Sequence, residues 1–208
     1  MIERLATVRG WLASYVGHND PLVAMCNTIA VLLGLNQPFY PMFVYWTVSD
    51  RYEPALFTLL SIPFFVAVPA VAKRHPMSGR LLLCGAGITN TALGVLVLGQ
   101  ASGVEVFFLP CALLAATLFR PSERFEGLLL SGLILGSYIG ISQCESTRLP
   151  SYSIGEYASL YRLNFTGALT LTIFVGFLLS KLTETTTLGR DVVGIDRSSG
   201  EERGRRGD

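Results

Sequence analysis

Six long apolar runs, parted by short charged clusters, dominate the chain, and a water-soluble fold has no use for that pattern. The runs fall at about 21–46, 55–72, 81–98, 104–118, 127–142 and 163–182. Stretches such as LLSIPFFVAVPAVA and LTIFVGFLL show no polar face at a 3.6-residue period. Helices that are apolar all round face lipid or lie inside a bundle. Composition agrees: 50% of residues are hydrophobic and only 15% charged, too few for the wet surface of a soluble domain. The fold class expected is all-α, a polytopic membrane protein built as a six-transmembrane helix bundle. A helix needs about 20 residues to cross roughly 30 Å of hydrocarbon. The fourth and fifth runs are shorter, so they are expected to extend into neighbouring turns or to thin the bilayer locally.

Lys and Arg set the expected orientation. With the N-terminus inside, thirteen of the 16 basic residues lie on the inner side, among them Lys73, Arg74, Arg80, Arg120, Arg124 and Lys181. Only Arg51, Arg148 and Arg162 lie outside. The positive-inside bias then places both termini in the cytoplasm, in a bacterial inner membrane. Residues 1–20 are expected to hold a short amphipathic surface helix, because Ile2, Leu5, Val8, Leu12 and Tyr15 recur at helical spacing. They lack the apolar core and cleavage site of a signal peptide. Asp20 before Pro21 marks the first helix start, and Pro54 and Ser78 mark two more. The transmembrane domain spans 21–182. The longest outer loop is read at 142–162, with Tyr152, Tyr157 and Tyr161 at belt height. Residues 183–208, with six acidic and five basic residues, read as a disordered cytoplasmic tail.

Polar residues inside apolar runs are the candidate sites, since an amide in hydrocarbon must find a partner. The first run reads NTIAVLLGLNQPFYPMFVYW, with Asn36, Gln37 and Tyr40 among prolines 38 and 41. Each proline removes a helix hydrogen bond, freeing the carbonyls of Gly34 and Gln37. Irregular backbone at membrane depth is tolerated where protein buries it or a cavity meets it. Two readings stand: a ligand pocket at a broken helix, or a kink whose polar groups are satisfied by neighbours. The third run carries Gly87, Asn90, Thr91 and Gly94 on one small, polar face suited to close helix packing, with Asn90 and Thr91 also candidates for ligand contact. Gly132, Gly136 and Gly140 form a G-x-x-x-G-x-x-x-G face on the fifth, expected to meet another helix within the chain or in a second subunit. Glu105, at the outer start of the fourth run, either favours a helix N-terminus or contacts a cation or ligand.

Other chemistries find no support. Cys26, Cys84 and Cys111 sit in apolar runs and read as buried free thiols, and no C-x-x-C spacing occurs. His18 and His75 are isolated, so neither metal nor haem is expected, and no cofactor is. There is no Ser-His-Asp set, no H-E-x-x-H and no phosphate-cradling glycine loop. A net charge of +1 gives no argument for nucleic acid.

Three stretches carry a resemblance: SGVEVFFLPCALLAATLFRPSER (102–124), YRLNFTGALTLTIFVGFLLSKL (161–182) and VLLGLNQPFYP in the first run. They resemble the six-helix membrane sensor domains found ahead of bacterial class III nucleotide cyclases, histidine kinases and diguanylate cyclases. The resemblance implies a regulatory membrane domain, here without its output domain or working with one on another chain. It implies no activity. The expected function is a non-enzymatic membrane sensor or accessory module that binds a lipid-soluble ligand or a partner membrane protein. The alternative is a small-solute transporter or channel working as a dimer. Expected partners are membrane lipids and a second membrane protein or a second copy.

Overall fold

A computed structural model describes residues 10–143 and 152–205, with side chains as far as residue 183. All regular structure in the described residues is helical. The helices are α1 (Pro21–Asn36), α2 (Phe39–Thr47), α3 (Ile62–Arg74), α4 (Pro76–Leu98), α5 (Phe108–Thr117), α6 (Arg124–Gln143) and α7 (Ile154–Arg205). 3-10 helices lead into α3, α5 and α6.

Among the described residues four stretches are long and apolar enough to cross a membrane: Glu53–Arg74, Pro76–Leu98, Pro121–Gln143 and Ile154–Thr183. The pair α1–α2, bent by 49°, makes a fifth if taken as one broken span. The sixth expected crossing, Val104–Thr117, is apolar but shorter, so length and composition give four or five spans among the described residues.

Local chemistry explains most helix ends. Asp20 caps α1, its side chain accepting from the Leu22 N–H, with Pro21 in the first turn. The second span opens as an unusually long 3-10 helix, Glu53–Ser61. Pro63 cannot donate to the Leu59 carbonyl, which accepts from Ile62 instead. The Thr58 and Ser61 hydroxyls donate to carbonyls three residues back. Helix α4 starts at Pro76, two residues before the start expected at Ser78, because His75 is extended and proline opens the next turn. The turn is so tight that a Cβ on Gly79 would strike Ala72.

At the last helix the start lies earlier than the apolar run suggests. Helix α7 begins at Ile154, so the second half of the expected 142–162 loop is helical. Beyond residue 183 it continues to Arg205 where a disordered tail is expected; no proline follows Pro150 to stop it. The first half of the expected surface helix lies outside the described residues. Residues 10–16 are helical, and Tyr15 donates to the Val66 carbonyl (2.7 Å) beneath Lys73.

The bundle has two polar ends. One holds the buried Arg80, whose guanidinium donates to both Glu123 carboxylate oxygens and to the Leu118 carbonyl, each at 2.7 Å. Arg120 pairs with Asp20 nearby, tying the start of the first span to the loop after α5. At the other end Arg51 pairs with Glu156, and Tyr152 donates to the Arg51 carbonyl. Burial pushes the Tyr152 phenol up to about 12, so it keeps its proton and remains a donor. Between the ends an apolar core joins Ile29, Phe65, Leu83, Leu114 and Val175.

Candidate functional site

The break between α1 and α2 is where the polar residues converge. Gln37 ends α1, its N–H bonded to the Leu33 carbonyl. The Gln37 carbonyl, expected to be freed by Pro41, accepts from the Tyr40 N–H at 3.1 Å. A tighter turn therefore replaces the lost helix bond. Gly34 sits against Phe65 and Val66 of α3, so the absent side chain serves close packing.

Beside this break lies a cavity of about 100 Å³. Asn36, Gln37 and Tyr40 line it from the first segment, Asn90 and Thr91 from α4, and Asn164 from α7. Leu33, Phe65, Leu83, Leu114 and Leu171 supply the apolar wall. Five of the six residues expected to contact a ligand thus share one cavity.

Their hydrogen bonds differ in a way that matters. Gln37 donates to the Ser61 hydroxyl at 2.9 Å. Tyr40 donates to the Asn164 oxygen at 2.9 Å, and the Asn164 amide nitrogen donates to the Ser102 carbonyl at 2.9 Å. Thr91 turns back onto the Gly87 carbonyl. Asn90 is the exception: its side-chain oxygen is buried and accepts nothing. An amide oxygen so placed costs on the order of 1–3 kcal/mol. Gln37, Tyr40 and Thr91 therefore fit the reading of a kink satisfied by its neighbours, while Asn90 retains an open acceptor.

Asn164 is the site residue that sequence reasoning missed. It is almost wholly buried and joins the first segment, the turn after α4 and the last helix. The signal was present: Leu160, Asn164, Ala168 and Val175 lie on one buried stripe of α7, with an amide among apolar residues. The sixth expected contact, Glu105, does not join the others. It lines a separate cavity with Tyr138 and Ser142.

The glycines divide. Gly87 stands against the Cys111 sulfur and Gly94 against Val104, so both bring α4 close to the fourth segment. A Cβ on Gly132, Gly136 or Gly140 would meet nothing within 4 Å among the described residues, so no described helix packs closely on that face. The residues of α6 that turn inward are Gly127, Leu130 and Ile134, on the opposite side. Cys26, Cys84 and Cys111 are free and buried. Among the described residues no three His, Cys, Asp or Glu side chains gather to hold a metal ion.

A bundle of apolar helices with charged ends and an amide-lined cavity between them defines a multi-pass membrane protein. Its kind is given by a family model that matches residues 20–134: MASE7, a family of membrane-associated sensory domains. That is more than half of the chain, which therefore belongs to the MASE7 family. No curated protein and no solved structure matches it. The matched region contains Asn36, Gln37, Tyr40, Asn90, Thr91 and Glu105, whereas Asn164 lies beyond it.

Proposed function

We propose that the chain is a non-enzymatic sensor whose cavity takes a small, mostly apolar ligand bearing one hydrogen-bond donor. The unpartnered Asn90 oxygen carries this reading, because Asn90 lines a cavity whose other polar groups are mostly engaged. A hydroxyl or N–H from a bilayer-soluble molecule would satisfy it, and the leucine and phenylalanine wall would hold the rest. Membership of a membrane sensory family supports the same role. Asn36, exposed at the cavity's rim, offers a first polar contact to a molecule entering between helices.

The proposed setting is a bacterial inner membrane, with six crossings and both termini in the cytoplasm. The Lys and Arg bias supports the orientation. The sixth crossing rests on the fourth segment: Val104 lies against Gly94 at one end, and Leu118 accepts from Arg80 at the other. It therefore descends beside some fourteen residues of α4, about 21 Å at 1.5 Å per residue. Together with the terminal turns, and with slight thinning, that suffices to cross. The proposed partners are membrane lipids and a helix seated on the open Gly132–Gly136–Gly140 face, from a second copy or another membrane protein. An output enzyme on another chain fits the resemblance to sensors of cyclases and kinases.

The test is extraction of the full chain from its own membrane into mild detergent, with mass spectrometry of what stays bound. Wild type is expected to carry a small apolar compound that Asn90→Leu loses while still melting cooperatively. Wild-type protein that emerges empty would overturn the reading. A transporter is the second reading, favoured by amides from three helices around one cavity. Uptake of small solutes into proteoliposomes decides for it; no uptake across a broad set retires it.

A further inference from the structure

Glu105 is the carboxylate that the bundle leaves unexplained. Its Oε2 atom is buried with no hydrogen-bond partner. The three ion pairs among the described residues use Asp20, Glu123 and Glu156 instead. It lines a cavity of about 90 Å³, separate from the amide-lined one and set between α4, the fourth segment and α6 at the Tyr152 end of the bundle.

The other walls of this cavity complete a recognisable chemistry. Gln100 uses its amide nitrogen on the Ile141 carbonyl at 3.0 Å, which leaves its carbonyl oxygen as the acceptor. The Ser142 hydroxyl donates to the Ile139 carbonyl and keeps its lone pairs. Val95, Phe108 and Tyr138 make the remaining wall, the two rings edge to face with centroids 6.5 Å apart. One charged and two neutral acceptors, with aromatic rings beside them, suit one donor group above others. A primary ammonium has three N–H donors, a positive charge for the carboxylate and a carbon stem for the apolar wall. A bare alkali cation would want more oxygens than these and has no carbon stem for the apolar wall.

We infer that the Glu105 cavity binds a small organic ammonium group, supplied by a free amine or by an aminophospholipid headgroup. The site is independent of the ligand proposed for the Asn90 cavity, and either can fail without the other.

Ethylammonium chloride is the probe, titrated onto the full chain in detergent and followed by saturation-transfer NMR at constant ionic strength. Saturable binding is expected for wild type, weakened roughly ten- to hundredfold in Glu105→Gln, since a charge-assisted hydrogen bond becomes a neutral one. Ser142→Leu, at the exposed rim, closes the mouth without entering the core and is expected to abolish binding at an unchanged melting temperature. Reconstitution into nanodiscs then separates the sources. Displacement of ethylammonium by phosphatidylethanolamine but not phosphatidylglycerol assigns the site to a lipid headgroup, and no displacement by either assigns it to a free amine. The inference is overturned if ethylammonium shows no saturable binding, if Glu105→Gln binds it like wild type, or if potassium competes equally well.

Discussion

Single polar side chains decide where this bundle is strong. Arg80 and Glu123 form a two-pronged pair, but they are unequally placed: the arginine side chain is 2% exposed and the glutamate 20%. Removing the glutamate strands a buried cation, whereas removing the arginine leaves a carboxylate that water can reach. Glu123→Gln is therefore expected to cost more than Arg80→Met, by about 1 kcal/mol or more. Denaturation in one detergent, with both variants side by side, checks it; the reverse order would show that the Leu118 carbonyl bond outweighs the pair. Asn164→Leu breaks two hydrogen bonds at once and leaves the Tyr40 hydroxyl and Ser102 carbonyl without partners. A loss of about 2–4 kcal/mol is expected in the same assay. Asn36, Gln37 and Asn90 were legible in the sequence because an amide stands out in an apolar run. Asn164 is harder to single out, because the apolar run opens at 163 and puts this amide beside a helix start, although the buried stripe of its helix includes it. Glu105 was visible too, but the sequence carries no sign that its neighbours come from α6 and not from Asn90's cavity.

At the level of whole helices, glycine means different things at different heights. Gly79 allows α3 and α4 to turn against each other, and a methyl there would meet Ala72. Gly85, six residues on, faces open space. Gly79→Ala is expected to lower the melting temperature clearly, while Gly85→Ala leaves it unchanged or slightly raised through helix propensity. Equal effects would mean the α3–α4 turn is looser than its geometry. The same reasoning revises what the sequence alone suggested for α6. A glycine triplet looks the same whether or not a neighbour packs on it; only the position of Gly127, Leu130 and Ile134 reveals which side faces the core. Gly136→Leu is expected to leave the unfolding midpoint of detergent-isolated monomer within about 0.5 kcal/mol of wild type, as for other surface changes. A shift in subunit association alone would place a second copy on that face. Helix existence and apolar character were readable from the runs. Helix ends were not always so, since His75 and Ile154 set two of them through backbone geometry that composition does not encode.

Across the whole molecule the question is whether the fourth segment passes through the bilayer or turns back. Its contacts run along most of α4, from Val104 at Gly94 to Leu118 at Arg80, each about one turn inside an end of that helix. A re-entrant loop would return to the side it came from, so the contact of Leu118 with Arg80 favours the proposed crossing. The Arg120–Asp20 pair says the same from a third direction, joining the residues after α5 to the start of α1. Ala101 and Ser122 flank the segment and are both exposed. In a background with the native cysteines replaced, Ala101→Cys is expected to react in intact cells with a membrane-impermeant maleimide. Ser122→Cys is expected to react only after the membrane is opened. Labelling of both from one side would make the segment re-entrant, leave five crossings and put the two termini on opposite sides of the membrane. The charge bias would then have to be read again, because α6 and α7 would run in reverse. The buried Arg80 makes that outcome costly: its carboxylate and its carbonyl both come from residues 118–123, which must lie at its own end of the bundle.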